Sequence, residues 1–284
     1  MTRRAGVVTA FVKRVDAGQG RVMVEYRGME DGLLSPWAYV AAPMSGPSRG
    51  ALFMPESGDE VLVAYADGDF DHPYVLGFLW NGEQTSPETE AHNRVIVTPG
   101  GHQLRFEDKS NDTRIVLKSN GGHSVTLEDQ ASGPKLQIET NGNREVLLDD
   151  TPGTGKVQIT SGAHQVTMDD TPGGQRVQIQ AGQGVGVTIL MNVTPPSLTI
   201  NVGAGNSITV SDAGVALNAL GGANITVAGV ANITASATNI TTGALNVTSG
   251  LASFTGVVQA SAVVTNSVVS SAYNAGVPGN LFGL

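Results

Sequence analysis

The chain has 284 residues, a formal net charge of −9, 14% charged residues, 5% aromatic residues, 37 glycines and no cysteine. Average domains carry about 25% charged residues, so much of this surface must be neutral. The acidic balance, with no basic cluster longer than Arg3–Arg4, argues against a nucleic-acid partner; disulfides and thiolate metal sites are excluded outright.

The opening "MTRRAGVVTAFVKR" has too short an apolar run for a signal peptide, and none is expected. No later run is long enough for a transmembrane helix. Residues 1–84 alternate like a small all-β domain. "RAGVVTAFVKRV" and "RVMVEY" are separated by the hairpin signal "DAGQG", and "SPWAYVAAP", "DEVLVAY" and "HPYVLGFLW" give three more runs. Five short strands suggest a barrel of the OB type. Residues 85–97 are polar and read as a linker.

From residue 98 the chain repeats. Apolar pairs recur at Leu104/Phe106, Val125/Leu127, Val146/Leu148, Val166/Met168 and Val187/Ile189. A second set lies 11 residues after each of these: Ile115/Leu117, Leu136/Ile138, Val157/Ile159, Val177/Ile179 and Leu198/Ile200. The unit is one short strand with two inward apolar residues, then a corner. Residues 98–200 therefore form a wide shaft. Over 201–284 the spacing shortens toward seven or eight, and the shaft should taper to a tip-docking end. From Ala181 onward the only charged side chain is Asp212.

Such a strand cannot bury its face alone and needs stacked neighbours. One chain could coil as a β-solenoid, or three could form a β-prism about one axis. Units of seven or eight residues are too short for a full solenoid coil, which favours the trimer. About 18 strands at ~4.8 Å would make a shaft on the order of 80–90 Å long. The fold class is thus all-β: an N-terminal OB barrel, then a trimeric, interwound β-helix (β-prism) needle.

Several patterns invite chemistry. The acidic pairs Glu107/Asp108, Glu128/Asp129, Asp149/Asp150 and Asp169/Asp170 could suggest calcium or glycoside cleavage. Neighbours on a strand point to opposite faces, however, and solvated corners are the simpler reading. His102, His123 and His164 share a repeat position with Arg144; the arginine breaks any metal ladder, leaving a solvated or corner-capping role. His72 lies in a turn and is assigned no chemistry. No nucleophile elbow or phosphate loop is present. No catalytic, cofactor-binding or metal-binding residue is expected. Asn224, Asn232, Asn239 and Asn246 each begin an N-x-[ST] glycosylation pattern. Their spacing of 8, 7 and 7 fits strand geometry better: Asn at a corner, Ile or Val inward, Thr outward. The near absence of charge after 181 has two readings: a surface suited to crossing a membrane, or the small neutral residues of a tight prism.

The run "SRGALFMPESGDEVLVAYADGDFDHPYVLGFLWNG", residues 48–82, carries Gly50, Pro55, Gly58, Asp59, Glu60 and Val61, then Pro73, Tyr74, Val75, Leu76 and Gly77, then Asn81 and Gly82. It resembles the OB domain of the valine-glycine-repeat and phage baseplate protein V spikes. The repeats resemble the shaft of that family, and "FTGVVQASAVVTNSVVSSAYNAGVPGN" resembles spike C-termini of contractile tails and extracellular injection systems. The resemblance implies a structural, membrane-puncturing homotrimer at the centre of a baseplate. Hub proteins would hold its OB domains, a PAAR-type tip protein would cap its C-terminal end, and a target cell envelope would be what it punctures. It implies assembly in the bacterial cytoplasm into a phage tail or injection particle, and no enzyme. Some relatives carry a lysozyme domain after the OB domain, which Glu83–Thr98 leaves no room for. Others carry a His-x-His iron site at the tip; no such pair occurs here. The rivals are a tailspike depolymerase and a trimeric adhesin.

Overall fold

The structure, a computed structural model, describes residues 6–28, 32–184, 186–262 and 264–266. It divides into two units, Met1–Ala223 and Asn224–Leu284.

The first unit opens with a closed barrel. Its strands are β1 (Val7–Asp16), β2 (Arg21–Tyr26), β3 (Ala38–Val40), β6 (Glu60–Tyr65) and β7 (Pro73–Leu79), ordered β1-β2-β3-β7-β6. A two-stranded hairpin, β4 (Ser45–Gly46) and β5 (Arg49–Gly50), lies between β3 and β6 in the chain. All five runs read from the sequence are barrel strands. The β1–β2 turn is "DAGQG" itself: Asp16 Oδ1 accepts the Gln19 N–H at 3.2 Å, and Gly20 takes the left-handed conformation at φ 63°. The core is small and valine-rich. Val12, Val22, Val24, Val61, Val63 and Val75 are fully buried, because alternate residues on each strand turn inward. Each such valine contributes about 1.5–3 kcal/mol by leaving water. Tyr26, Tyr65 and Phe70 close one part of this core, with ring centroids 5.0–6.1 Å apart.

The rest of the unit is one antiparallel sheet of 13 strands. It runs through β8 (Asn93–Val97), β9 (Gln103–Lys109), β10 (Asp112–Lys118), β11 (Ser124–Glu128), β12 (Lys135–Glu139), β13 (Arg144–Asp149) and β14 (Lys156–Ser161). It continues with β15 (His164–Asp169), β16 (Arg176–Ala181), β17 (Val187–Asn192), β18 (Ser197–Val202), β19 (Asn206–Ser211) and β20 (Gly214–Asn218). Every strand pairs with its neighbours in sequence. The architecture is all-β, barrel first and strand stack second. Corners of two to six residues return the chain antiparallel at once, so its hydrogen bonds close inside one chain. Thirteen strands at ~4.8 Å make a stack roughly 60 Å long.

Register stacks the apolar pairs. Leu104, Leu117, Val125, Ile138, Val146 and Ile159 are successive cross-strand partners, and their column continues to Leu217. Phe106, Ile115, Leu127, Leu136, Leu148 and Val157 form a second column, which reaches Val215. One pair differs from the sequence reading. In β17 the rungs are Ile189 and Met191, and Val187 pairs with Ala181 and Val202. The corner before β17 spans 182–186, whereas that before β15 spans only 162–163. The extra length moves the rung by two residues, which keeps it on the same face. Residues 93–97, assigned from sequence to the linker, form β8.

In the second unit the described residues form no regular strand or helix, and all are exposed. The four Asn-x-Thr repeats lie here. Local bonds are of the Ser/Thr-turn kind: the Thr242 hydroxyl donates to the Ala244 carbonyl at 2.9 Å. The expected tip-docking end, residues 267–284, lies outside the described residues.

Candidate functional site

The barrel motif builds the exit toward the shaft. Glu60, at the start of β6, is 4% exposed. Its carboxylate accepts Asn81 Nδ2 at 2.9 Å, and Arg27 Nη1 lies 3.6 Å away. Asn81 Oδ1 in turn accepts the N–H groups of Glu83 and Gln84. A buried acid thus holds the asparagine that shapes the first residues after the barrel. Asp59 Oδ2 accepts the Glu56 N–H at 2.8 Å, and Gly58 sits at φ 101°, where a side chain would be strained. The Gly-Asp-Glu-Val and Asn-Gly segments are therefore architectural.

β7 also presents a row outward. Tyr74, Leu76 and Phe78 are about half exposed, and Trp80 just beyond is 71% exposed. Phe78 and Trp80 line a cleft of about 870 Å³ with Phe53, Pro87 and Ile96, between the barrel and β8. Contiguous apolar surface of this kind marks an interaction site.

Glu88 anchors the segment before β8. It accepts the N–H groups of Thr89 and Glu90, Asn93 Nδ2 at 3.0 Å, and Arg105 Nη2 at 2.6 Å. The Glu90 N–H, then Asn93, bring its pKa down to about 2. A carboxylate whose folded pKa lies below its ordinary ~4.3 contributes stability above that value and loses it as pH falls. The anchor should therefore weaken between about pH 4.3 and 2. Melting curves across this window should fall more steeply for the native chain than for Glu88→Gln. Parallel curves would show that Glu88 is not the anchor.

The sheet has two different faces. The apolar columns are uncovered within the chain: Leu127 and Ile138 are each 42% exposed, Ile159 48% and Met168 49%. The other face carries a column of alternating charge, Glu107–Arg114–Glu128–Lys135–Asp149–Lys156–Asp169–Arg176, all direct cross-strand partners. Arg114 bonds Glu107, Lys135 reaches Glu128 at 3.3 Å, and Arg176 reaches Asp169 at 3.3 Å. The Glu107 bond raises the Arg114 pKa further. Asp149 and Asp169 are held below the usual carboxylate range, first by the Thr151 and Thr171 hydroxyls and then by those residues' N–H groups. Single exposed ion pairs contribute little. An alternating column instead fixes register, because a slipped strand loses its partners.

The structure therefore splits each acidic pair. The first acid is a rung of the charge column; the second begins a corner in three of the pairs, and in the first, Asp108 is the penultimate residue of β9. This column escaped the sequence reading, although its signal was present: acids at 107, 128, 149 and 169, each followed seven residues later by Arg114, Lys135, Lys156 or Arg176. The histidines sit at the opposite corners. His102 Nδ1 accepts the Asn120 N–H and His123 Nδ1 the Asn141 N–H, both at 3.3 Å, tying successive corners together. His72 Nδ1 contacts Asp69 Oδ2 at 3.0 Å within its turn. Among the described residues, no three His, Asp or Glu side chains lie close enough to hold a metal ion.

Against this geometry, a family model for the Type VI secretion system/phage-baseplate injector OB domain matches residues 4–80, the barrel. The barrel is thus an OB domain of the baseplate-injector kind. Similar proteins include the Type VI secretion system spike protein VgrG5 of Pseudomonas aeruginosa, 35% identical over 109 residues, which are 34% of this chain and 14% of that protein. VgrG4b of the same organism is 31% identical over the same coverage. VgrG3 of Vibrio cholerae is 29% identical over 91 residues, covering 29% of this chain and 9% of that one. The similarity thus spans only a small part of these longer spike proteins.

Proposed function

We propose that this spike is a non-enzymatic homotrimer that punctures a target envelope when a contractile sheath fires. The observation that carries the reading is the uncovered apolar face of β9–β20. A single-layer sheet this long, with two unbroken apolar columns exposed to water, needs a cover. Three copies turned toward one axis supply it, through one repeated heterologous contact that closes as a ring. The half-exposed row on β7 fits the surface of a baseplate hub, and a separate tip protein of the PAAR kind would cap the C-terminal end. Assembly would take place in the bacterial cytoplasm, into a tail or injection particle.

The stretch after Ala181, whose only charged side chain is Asp212, supports the puncturing role. Charged groups cost several kcal/mol each in hydrocarbon, whereas Asn, Ser, Thr and Gly cost far less. Light scattering on the purified chain tests the assembly. The expected mass is three times 29.2 kDa; a species of 29.2 kDa at micromolar concentration would refute the trimer.

A further inference from the structure

The apolar face has edges, and the edges are charged. On every second strand the residues of that face read basic, apolar, apolar, acidic. β9 and its corner give His102, Leu104, Phe106 and Asp108; β13 and its corner give Arg144, Val146, Leu148 and Asp150. β11 and β15 repeat this with His123 and Asp129, and with His164 and Asp170. Alternation along a strand puts all four residues of each set on one side. One long edge of the apolar face is therefore basic and the other acidic, at the same 21-, 21- and 20-residue spacing. All eight charged or titratable residues are exposed.

The acids are unengaged. The side chains of Asp108, Asp129, Asp150 and Asp170 make no hydrogen bond or ion pair within the chain, whereas each preceding acid lies in the charge column. They cannot reach their own chain's basic edge, since six residues of strand separate the edges by roughly 20 Å. The histidines are poised as donors. With Nδ1 of His102 and His123 accepting a backbone N–H, the ring proton sits on Nε2 and is available to a carboxylate. Arg144, at the third position of the series, is also a donor, which explains how it substitutes for histidine there.

We infer that the two edges are the two halves of an intersubunit zipper. The His/Arg edge of one copy meets the Asp edge of the next, three times around the axis. The occupant of each edge is thus a second copy of this chain, selected by charge complementarity at matched spacing. The apolar columns bury the centre and the zipper forms the polar rim. It also sets which edge abuts which and at what height, because a slip of one strand pair would leave the end rungs unpaired. This inference rests on the trimer proposed above.

The absence of cysteine makes the test clean. Arg144→Cys/Asp150→Cys is made in the full chain, with Arg144→Cys/Asp129→Cys and Arg144→Cys/Asp170→Cys to allow for strand tilt. A disulfide inside one chain is excluded, because bridged Cα atoms lie within about 7 Å. Mild oxidation should give a covalent trimer on a non-reducing gel for one of the three pairs. Separately, Arg144→Glu should lower the melting midpoint of the assembly, and adding Asp150→Lys in the same chain should restore at least half of the loss. If the native chain scatters as a trimer but no pair cross-links, or the second substitution restores nothing, the zipper is wrong and the trimer stands. A native monomer removes both.

Discussion

Replacing Ile138, Ile159 and Ile179 together with aspartate should leave no trimer. These residues lie in one apolar column on alternate strands and are 40–48% exposed in the single chain. Covering the remainder of each contributes roughly 1–2 kcal/mol. Two columns over twelve strands, β9–β20, then supply several tens of kcal/mol per chain, well above the ~4–15 kcal/mol cost of associating. One substitution should therefore be tolerated, with a lowered melting point. Three in each copy place nine carboxylates near the axis, each costing several kcal/mol by desolvation or taking up a proton instead. Per chain, three carboxylates and the three lost isoleucine contacts cost roughly 10–20 kcal/mol, which together with the cost of associating removes most of the apolar gain. The control is one residue away on the same strands. Gln137, Gln158 and Gln178 face the other side, and their replacement with aspartate should leave the mass at three chains. If both triple variants scatter alike, the apolar face does not join the copies.

This contrast also shows which information a linear reading captures. The two-residue period and the 21-residue repeat are local quantities, so the barrel strands, the apolar columns and the opposed directions of the acidic pairs could all be read before any coordinates. What could not be read depends on corner length and pairing. The shift at β17 comes from the five residues at 182–186, a length that apolar spacing alone does not reveal. The charge column joins residues seven apart across a corner, such as Glu128 and Lys135, and has meaning only once the strands are known to be antiparallel. The anchor at Glu88 needs Arg105, which belongs to the next strand but one. β8 was absorbed into the linker because its alternation, Val95 against Arg94 and Ile96, is too short to stand out. The return of each strand on its predecessor as hairpins over 93–218 likewise depends on pairing.

The nearly uncharged C-terminal stretch makes the sharper demand. Substituting Thr226, Thr234, Thr241 and Thr248 with lysine should leave the assembly intact and reduce delivery or killing by more than tenfold. Each of these threonines is exposed and ends one Asn-x-Thr repeat, so none is needed for packing within the chain. Three copies would carry twelve ammonium groups. At about 2.5–3.5 kcal/mol each near the bilayer centre, the added barrier reaches roughly 30–40 kcal/mol if all cross together, and less where the long side chains reach back to the interface. A tenfold loss of rate needs only about 1.4 kcal/mol of that to survive. The same four lysines on a spike that merely rests against a receptor would cost almost nothing. Particle yield, spike mass and delivery should be measured on the same preparations. Normal particles with undiminished delivery would mean that the neutral surface reflects tight packing and not passage through a membrane. Normal particles that fail to deliver would tie the loss of charge after Ala181 to the hydrocarbon layer.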